Sequence, residues 1–127
     1  MKLTYFMIGD WVQIDGIPRK IQAIDSIDAE ILADDNLYYV REDRYSSEDK
    51  VEGIPLTYEI LKKNGWKDAE FWCEYQDGNN SIQSCLPDMR GRINGIEIEH
   101  FTCEYVHQYQ HLLRLCGLDE LADNFKI

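Results

Sequence analysis

The chain has 127 residues, of which 44% are hydrophobic, and its 24 acidic residues against 13 Lys and Arg give a formal net charge of −11. This composition fits one globular domain, or two very small subdomains that share a core, and it argues against a disordered chain. No apolar run approaches the roughly 20 residues of a membrane-spanning helix. Because nucleic-acid affinity comes largely from Lys and Arg, direct binding to DNA or RNA is not expected.

The N-terminus and the cysteines both indicate a cytoplasmic protein. Residues 1–8 contain one lysine and too short an apolar run for a secretory signal, and no small-residue cleavage site follows them. The cysteines form no C-x-x-C pair and are irregularly spaced, which predicts reduced, half-buried thiols rather than a disulfide framework. They are Cys73, Cys85, Cys103 and Cys116.

The first third of the chain is predicted to form short antiparallel strands. Apolar segments alternate with turn residues at roughly 8–12-residue spacing, which is typical of a small barrel or curled sheet. The predicted strands are 7–14 (with its lead-in), 19–24, 29–33 and 37–41, and the turns between them are 15–16, 25–28 and 34–36. Ile21 and Ala23 are expected on one face of the second strand. An SH3-like barrel is the best match for residues 7–43.

The most polar run, residues 42–52, is predicted to be a loop. Within a single domain, residues 1–127, it would join two possible subdomains, a barrel-like β unit (1–45) and an α+β unit (53–127).

A short helix is predicted to begin after Thr57, because several local signals agree. Thr57 can accept a hydrogen bond from the amide of Ile60 as the N-cap residue. Leu56 and Leu61 occupy the two positions of a hydrophobic staple. The Asn-Gly pair at 64–65 is typical of a helix end.

A second antiparallel sheet is predicted from three strands, 69–75, 81–86 and 96–101, with residues 87–92 left irregular. Alternation places Phe71, Cys73 and Tyr75 on one face of the first of these strands, and Trp72 on the other. On the last strand, Ile96, Ile98 and His100 are expected to share a face. A hairpin tip is predicted at Asn-Gly 94–95.

The stretch 105–117 predicts an amphipathic helix that ends at Gly117, and 118–125 predicts one further helical turn. Its apolar arc contains Tyr105, Val106, Tyr109, Leu112, Leu113 and Cys116. Its polar side contains His107, Gln108, Gln110, His111 and Arg114. The predicted fold class is therefore α+β: a small antiparallel barrel-like (SH3-like) sheet, a short helix, and a second antiparallel sheet on which the C-terminal amphipathic helix packs.

One group of residues has the chemistry of a metal site. His107 and His111 are four residues apart on a helix, a spacing that zinc sites use, and His100 and Cys103 precede them. Gln108 stands where a zinc hydrolase has its glutamate, however, and no second cysteine lies at ligand spacing. We therefore expect two solvated histidines, no bound metal and no cofactor.

Other catalytic patterns are weaker. Glu97 and Glu99 lie on one strand face, where two glutamates usually form the solvated side rather than a glycosidase pair. No sequence pattern supports a catalytic cysteine–histidine pair that uses Cys73 or Cys85. Neither a glycine-rich phosphate loop nor a G-x-S-x-G motif is present.

The aromatic residues offer a binding hypothesis, since exposed Trp and Tyr side chains are typical of protein-recognition surfaces. The residues concerned are Trp11, Tyr38, Tyr39, Tyr45, Trp66, Trp72, Tyr75 and Tyr105. Core packing is expected for most of them.

Three segments, 8–12, 54–66 and 105–112, resemble a group of small uncharacterised proteins of Bacteroides-type gut bacteria and their prophages. They read I-G-D-W-V, I-P-L-T-Y-E-I-L-K-K-N-G-W and Y-V-H-Q-Y-Q-H-L. The chain departs from the group's pattern at Asp10, Trp66, Tyr109 and His111, and the last departure weakens the metal hypothesis. The resemblance implies no activity; it suggests bacterial or phage cytoplasm.

We therefore expect a non-enzymatic, acidic protein-interaction module of phage or prophage origin that acts on a protein partner. One alternative is a metal-binding protein or enzyme that uses Cys103, His107 and His111. Another is a DNA mimic, which would require carboxylates arrayed in rows.

Overall fold

The computed structural model describes residues 6–25, 30–39 and 51–127. The chain divides into two compact units, Met1–Ile54 and Pro55–Ile127. Each unit contains an antiparallel sheet of five strands, and the helices of the described residues lie in the second unit, which confirms the predicted α+β class.

The first unit is a sheet with the strand order β4-β3-β2-β1-β5. Its strands are β1 (Trp11–Ile14), β2 (Ile17–Asp25), β3 (Glu30–Ala33), β4 (Asn36–Tyr39) and β5 (Val51–Gly53). Two-residue turns at Asp15-Gly16 and Asp34-Asp35 connect β1 to β2 and β3 to β4, and all four turn residues have positive φ. Such turns match the right-handed twist of the strands that they connect. The predicted hairpins are confirmed, but no pairing among the described residues closes this sheet into a barrel.

The core of the first unit lies on one face of its sheet. It is formed by Phe6, Val12, Ile14, Ile21, Ile31, Ala33 and Val51. Ile24 packs against this core, whereas Ala23 is exposed, so the prediction that Ala23 shares a face with Ile21 is wrong. The reason is a bulge in β2: Ile21 pairs with Ala33, but Ala23 pairs with Leu32, and the extra residue, Gln22, reverses the alternation.

The predicted loop 42–52 is wrong at its C-terminal end. Val51 and Glu52 belong to β5, where Val51 pairs with Ile14 and is buried. Long-range pairing with β1 converts the end of a polar run into a strand. Residues 42–50 lie outside the described residues, as do most of the predicted turn 25–28 and the end of the predicted strand 37–41.

The second unit opens with helix α1 (Tyr58–Lys63), and its predicted cap is confirmed. The hydroxyl of Thr57 accepts a hydrogen bond from the amide of Ile60 at 3.2 Å. Leu56 and Leu61 are both buried, and Gly65 has the positive φ that ends the helix.

A second sheet follows with the strand order β10-β9-β8-β7-β6. Its strands are β6 (Lys67–Asp68), β7 (Cys73–Asp77), β8 (Asn80–Cys85), β9 (Asp88–Ile93) and β10 (Ile96–Thr102). The hairpin tip at Asn94-Gly95 is confirmed by the positive φ of both residues. The inner face buries Cys73, Ile82, Ser84, Met89, Ile93 and Ile98.

Two predictions for this sheet are wrong. Residues 88–93 form β9, which pairs with both β8 and β10, although they lack strong alternation. Gly91 is required there because a Cβ would overlap the carbonyl oxygen of Ser81. Residues 69–72 are not a strand, and Phe71 is 76% exposed instead of sharing the buried face of Cys73.

The faces predicted for the last strand are also interrupted. Ile96 and Ile98 share a face as predicted, since their pairing with β9 is regular, although Ile96 is exposed next to the hairpin tip and Ile98 is buried. His100 does not continue this face and is exposed. The pairing of β10 with β9 shifts between Ile98 and Phe101, and His100 has φ of 54° within that irregularity. A bulge of this kind ends the alternation of side chains along the strand.

The C-terminal helix is α2 (Val106–Leu115), followed by α3 (Asp119–Asp123). Gln108 stabilises the start of α2, since its Oε1 accepts hydrogen bonds from the amides of Glu104 and Tyr105. Trp66 connects the helix with the sheet: its ring lies 5.7 Å from that of Tyr109 on α2 and 6.2 Å from that of Tyr75 on β7. Gly117 has the predicted positive φ.

The apolar arc of α2 is buried as predicted, apart from the half-buried Tyr105, but its polar side is not fully solvated. Gln110 and His107 are both buried. The side chain of Gln110 donates a hydrogen bond to the carbonyl oxygen of Ala122 on α3 at 3.0 Å. The prediction of a solvated His107 is wrong, because its side chain is buried and its ring stacks on that of Tyr105. Gln110 is buried because α3 packs against α2 as a second partner surface, which a helix wheel drawn for one surface does not include.

Candidate protein-binding surface

The residues of the metal hypothesis do not form a ligand set. Cys103 and His107 are buried, His111 is half-buried and His100 is exposed on the bulge of β10. The rings of His107 and His111 lie 5.7 Å apart, and that of His107 stacks on Tyr105 at 5.8 Å. Within residues 6–25, 30–39 and 51–127, no three His, Cys, Asp or Glu side chains are placed to hold a metal ion.

Burial also makes Cys103 a poor ligand. It raises the pKa of the thiol from 9.0 to about 12. Metals bind the thiolate, so a thiol that stays protonated at neutral pH binds them weakly. Burial likewise raises the pKa of Cys73 and Cys116, and all four cysteines are free.

Core packing, predicted for most of the aromatic residues of the binding hypothesis, holds fully for only one of those whose side chains the structure describes, Trp66. Trp66 is buried and donates a hydrogen bond from Nε1 to the Tyr109 hydroxyl at 3.1 Å. Burial raises the pKa of Tyr109, so this phenol remains a neutral partner. Trp11, Tyr38, Tyr75 and Tyr105 are half-buried. The side chain of Tyr39 and the whole of Tyr45 lie outside the described residues.

Three other aromatic side chains are exposed on the second unit: Tyr58 by 42%, Phe71 by 76% and Trp72 by 37%. The turn after β8 links them. The Tyr58 hydroxyl accepts a hydrogen bond from the amide of Leu86 at 2.8 Å, and the Cys85 thiol lies 3.4 Å from the carbonyl oxygen of Phe71. We refer to Tyr58, Phe71 and Trp72 as the aromatic patch.

The local fold explains why Phe71 is exposed. The amide of Ala69 donates to the carbonyl oxygen of Trp72 at 2.7 Å, which closes a hairpin between β6 and β7. Glu70 and Phe71 form the tip of this hairpin, where neither side chain can reach the core. Trp72 is held beside the tip by a 3.3 Å hydrogen bond from its Nε1 to Glu74.

A cleft of about 340 Å³ opens next to the patch. It is lined by Trp72, Gln83, Ser84, Cys85, Asp88 and Arg90. A second cleft of about 550 Å³ adjoins it, because Gln83 and Arg90 line both. The second cleft contains Glu97 and Glu99, which are exposed beside Arg92.

A separate acidic cleft of about 580 Å³ lies at the end of β7. It is lined by Tyr75 and Asp77 together with residues 117–121 and Asn124, which include Asp119 and Glu120. Burial and the nearby Asp77 carboxylate raise the pKa of Tyr75, so its phenol stays neutral.

Of the aromatic patch, the sequence singled out only Trp72. Tyr58 lies in the predicted helix and Phe71 in the predicted strand 69–75, so neither is expected from the sequence to be an exposed binding residue. A signal for Phe71 was weak, because the hairpin tip Glu70-Phe71 contains neither Gly nor Asn, the residues that usually mark such a turn.

Within the described residues, no helix has both the length and the apolar character to cross a membrane. Comparison of the chain with protein-family models found no match, and searches of curated proteins and of solved structures found none either. Fold and surface together define an α+β protein with an excess of acidic residues and an exposed aromatic patch on its second unit.

Proposed function

We propose that the chain is a non-enzymatic protein-interaction module that binds a protein partner through the aromatic patch. The observation that carries this proposal is the exposure of two consecutive aromatic residues, Phe71 and Trp72, at one hairpin. Large apolar side chains that cluster on the surface mark interaction sites, and Trp and Tyr are frequent among residues that dominate binding energy.

The clefts near the patch support binding rather than catalysis. Cys85 is the exposed thiol of the cleft beside Trp72, and the residues that line this cleft include no histidine to activate it. Its Gln, Ser, Asp and Arg side chains are groups that fix the orientation of a bound chain.

The proposal extends to the first unit, for which we infer an SH3-like barrel. Its support is the strand order, in which β1 pairs with both β2 and β5. We further propose that the protein acts in the cytoplasm of Bacteroides-type bacteria or their prophages. The free cysteines and the resemblance of three sequence segments to proteins of that group support this location.

The experiment compares proteins captured from a lysate of the bacterium that encodes the chain. The bait is wild type, the double variant Phe71→Ser/Trp72→Ser, or Leu115→Ser as a matched control. Leu115 is 71% exposed on α2, away from the patch, so its replacement also removes surface apolar area. We expect one specific partner, bound by wild type and Leu115→Ser and at least roughly 30-fold more weakly by the double variant.

Thermal melting of the three proteins checks that each folds. Equal capture by wild type and the double variant would contradict the patch as the binding site. Turnover of a substrate by the purified wild-type chain would contradict the non-enzymatic function.

A further inference from the structure

The outer face of the second sheet, opposite the buried residues Ile82, Ser84 and Met89, is exposed along its length. Strand register aligns its side chains in rows across the sheet. Glu74 is opposite Gln83, and Gln83 is opposite Arg90; in the next row, Ser81 is opposite Arg92, and Arg92 is opposite Glu97. The two adjoining clefts lie on this face, and we call them together the outer groove. Its aromatic end is Trp72.

Arg90 is the basic residue common to both clefts. Its side chain is exposed and makes no ion pair or hydrogen bond with any residue that the structure describes. Arg19, Lys62 and Arg114, in contrast, each pair with a carboxylate. In a chain with 24 acidic residues, an uncompensated arginine inside a groove is a group available to a ligand.

A guanidinium presents a planar fork of donors that matches a carboxylate. The amide of Gln83, directly across from Arg90, can add a donor to the same group. The neighbouring carboxylates limit what can bind. Asp88 shares the first cleft with Arg90, and Glu97 and Glu99 line the second, so a run of acidic groups would be repelled while a single one would not.

We propose that the outer groove binds an extended protein segment that presents one carboxylate side chain beside an apolar side chain. The carboxylate pairs with Arg90, and the apolar side chain contacts Trp72, which lines the same small cleft. Neighbouring side chains of an extended chain are separated by about 3.3 Å per residue, so both contacts suit residues close in sequence. This inference rests on the proposed function and adds to it the chemistry of the partner.

The net charge of −11 alone would favour a basic partner through its long-range field. At contact distance the local groups decide, because solvent ions screen charges beyond roughly 10 Å. The long-range field therefore predicts a basic partner and the local groups predict an acidic side chain on the partner. An experiment that identifies the charge of the bound segment distinguishes the two.

The test is selection from a displayed random-peptide library on the full-length chain. Wild type, Arg90→Gln, Arg90→Glu and Lys126→Gln serve as targets; the last removes an exposed positive charge from the same unit outside the groove. We expect wild type and Lys126→Gln to select peptides with an apolar residue close to one Asp or Glu. Individual peptides should bind Arg90→Gln roughly tenfold or more weakly, and Arg90→Glu should select Lys or Arg instead.

Three outcomes would each overturn the inference. The wild-type chain could select peptides enriched in Lys or Arg, the selected peptides could bind Arg90→Gln as tightly as wild type, or the wild-type chain could select no peptide. Trp72→Ser separates this failure from that of the proposed function. If binding of the peptides or of the natural partner depends on Trp72 but not on Arg90, the aromatic patch remains the proposed binding site. Only the inferred carboxylate of the partner is then wrong. If binding depends on neither residue, both proposals fail.

Discussion

At the scale of single residues, Thr57 shows how a local signal fixes a structure. Its hydroxyl caps α1 through a 3.2 Å hydrogen bond from the Ile60 amide. Helix starts leave amides without partners, and the side chains of a few residue types can satisfy them without any help from the rest of the fold. The sequence alone therefore predicts this contact atom by atom.

Replacing Thr57 by alanine removes the acceptor and should lower the free energy of unfolding by about 1 kcal/mol. Thr57→Ser keeps a hydroxyl at the same position and should remain close to wild type. Denaturant unfolding followed by circular dichroism measures both. Equal midpoints for wild type and Thr57→Ala would show that the hydroxyl does not stabilise α1.

Burial of the Cys103 thiol makes the free energy of unfolding depend on pH in the alkaline range. The folded thiol keeps its proton up to a pKa of about 12, whereas the unfolded thiol loses it above about 9.0. Between these values the unfolded state binds fewer protons, so the free energy of unfolding falls as pH rises, by at most about 1.4 kcal/mol per pH unit. Below pH 9.0 the contribution is complete.

Cys103→Ala should therefore show a shallower loss of stability above pH 9.0 than wild type. Cys85→Ala removes an exposed thiol and serves as the control, with the slope of wild type. Denaturant titrations on both sides of pH 9.0 give the slopes. A Cys103→Ala slope equal to that of wild type would contradict the assignment.

At the scale of elements, α2 combines a prediction that succeeded with one that failed. Its apolar arc is buried because one helix face meets the core, as the period of 3.6 residues requires. The burial of Gln110 on the other side follows from α3, a five-residue helix that packs against α2. A wheel drawn for one element contains no information about a second partner.

Leu113 is fully buried on α2, and Leu113→Ala should cost roughly 2–5 kcal/mol through lost transfer energy and a cavity. Leu115→Ala, two residues later but 71% exposed, should change stability by less than about 0.5 kcal/mol. Thermal and denaturant unfolding of both variants measure the difference. Comparable costs would show that the buried face of α2 is assigned wrongly.

The strands of the two sheets likewise divide into those that local sequence predicts and those that it does not. Hairpins with Asp-Gly or Asn-Gly turns are predictable because the turn residues themselves adopt positive φ. Strands β5 and β9 are not predictable from local sequence, because they are stabilised by pairing with other strands of their sheets. The hairpin tip at Glu70-Phe71 escapes prediction for the opposite reason: its sequence alternates like a strand.

At the scale of the whole molecule, both units contain more acidic than basic residues, so the negative charge belongs to the entire chain. That charge favours solubility and disfavours nucleic acid as a partner. It does not determine the local character of a binding surface. The aromatic patch and Arg90 are apolar and basic groups within an acidic protein.

The sequence by itself determined the α+β class, the caps of α1, the turns of three hairpins and the buried arc of α2. Each depends on interactions within a few residues or on a simple period, both of which are written in the order of side chains. The tertiary structure decided which aromatic residues are exposed, why Ala23 and His107 differ from their predicted environments, and where Arg90 lies. Those outcomes depend on strands and helices distant in sequence, whose packing no local pattern encodes.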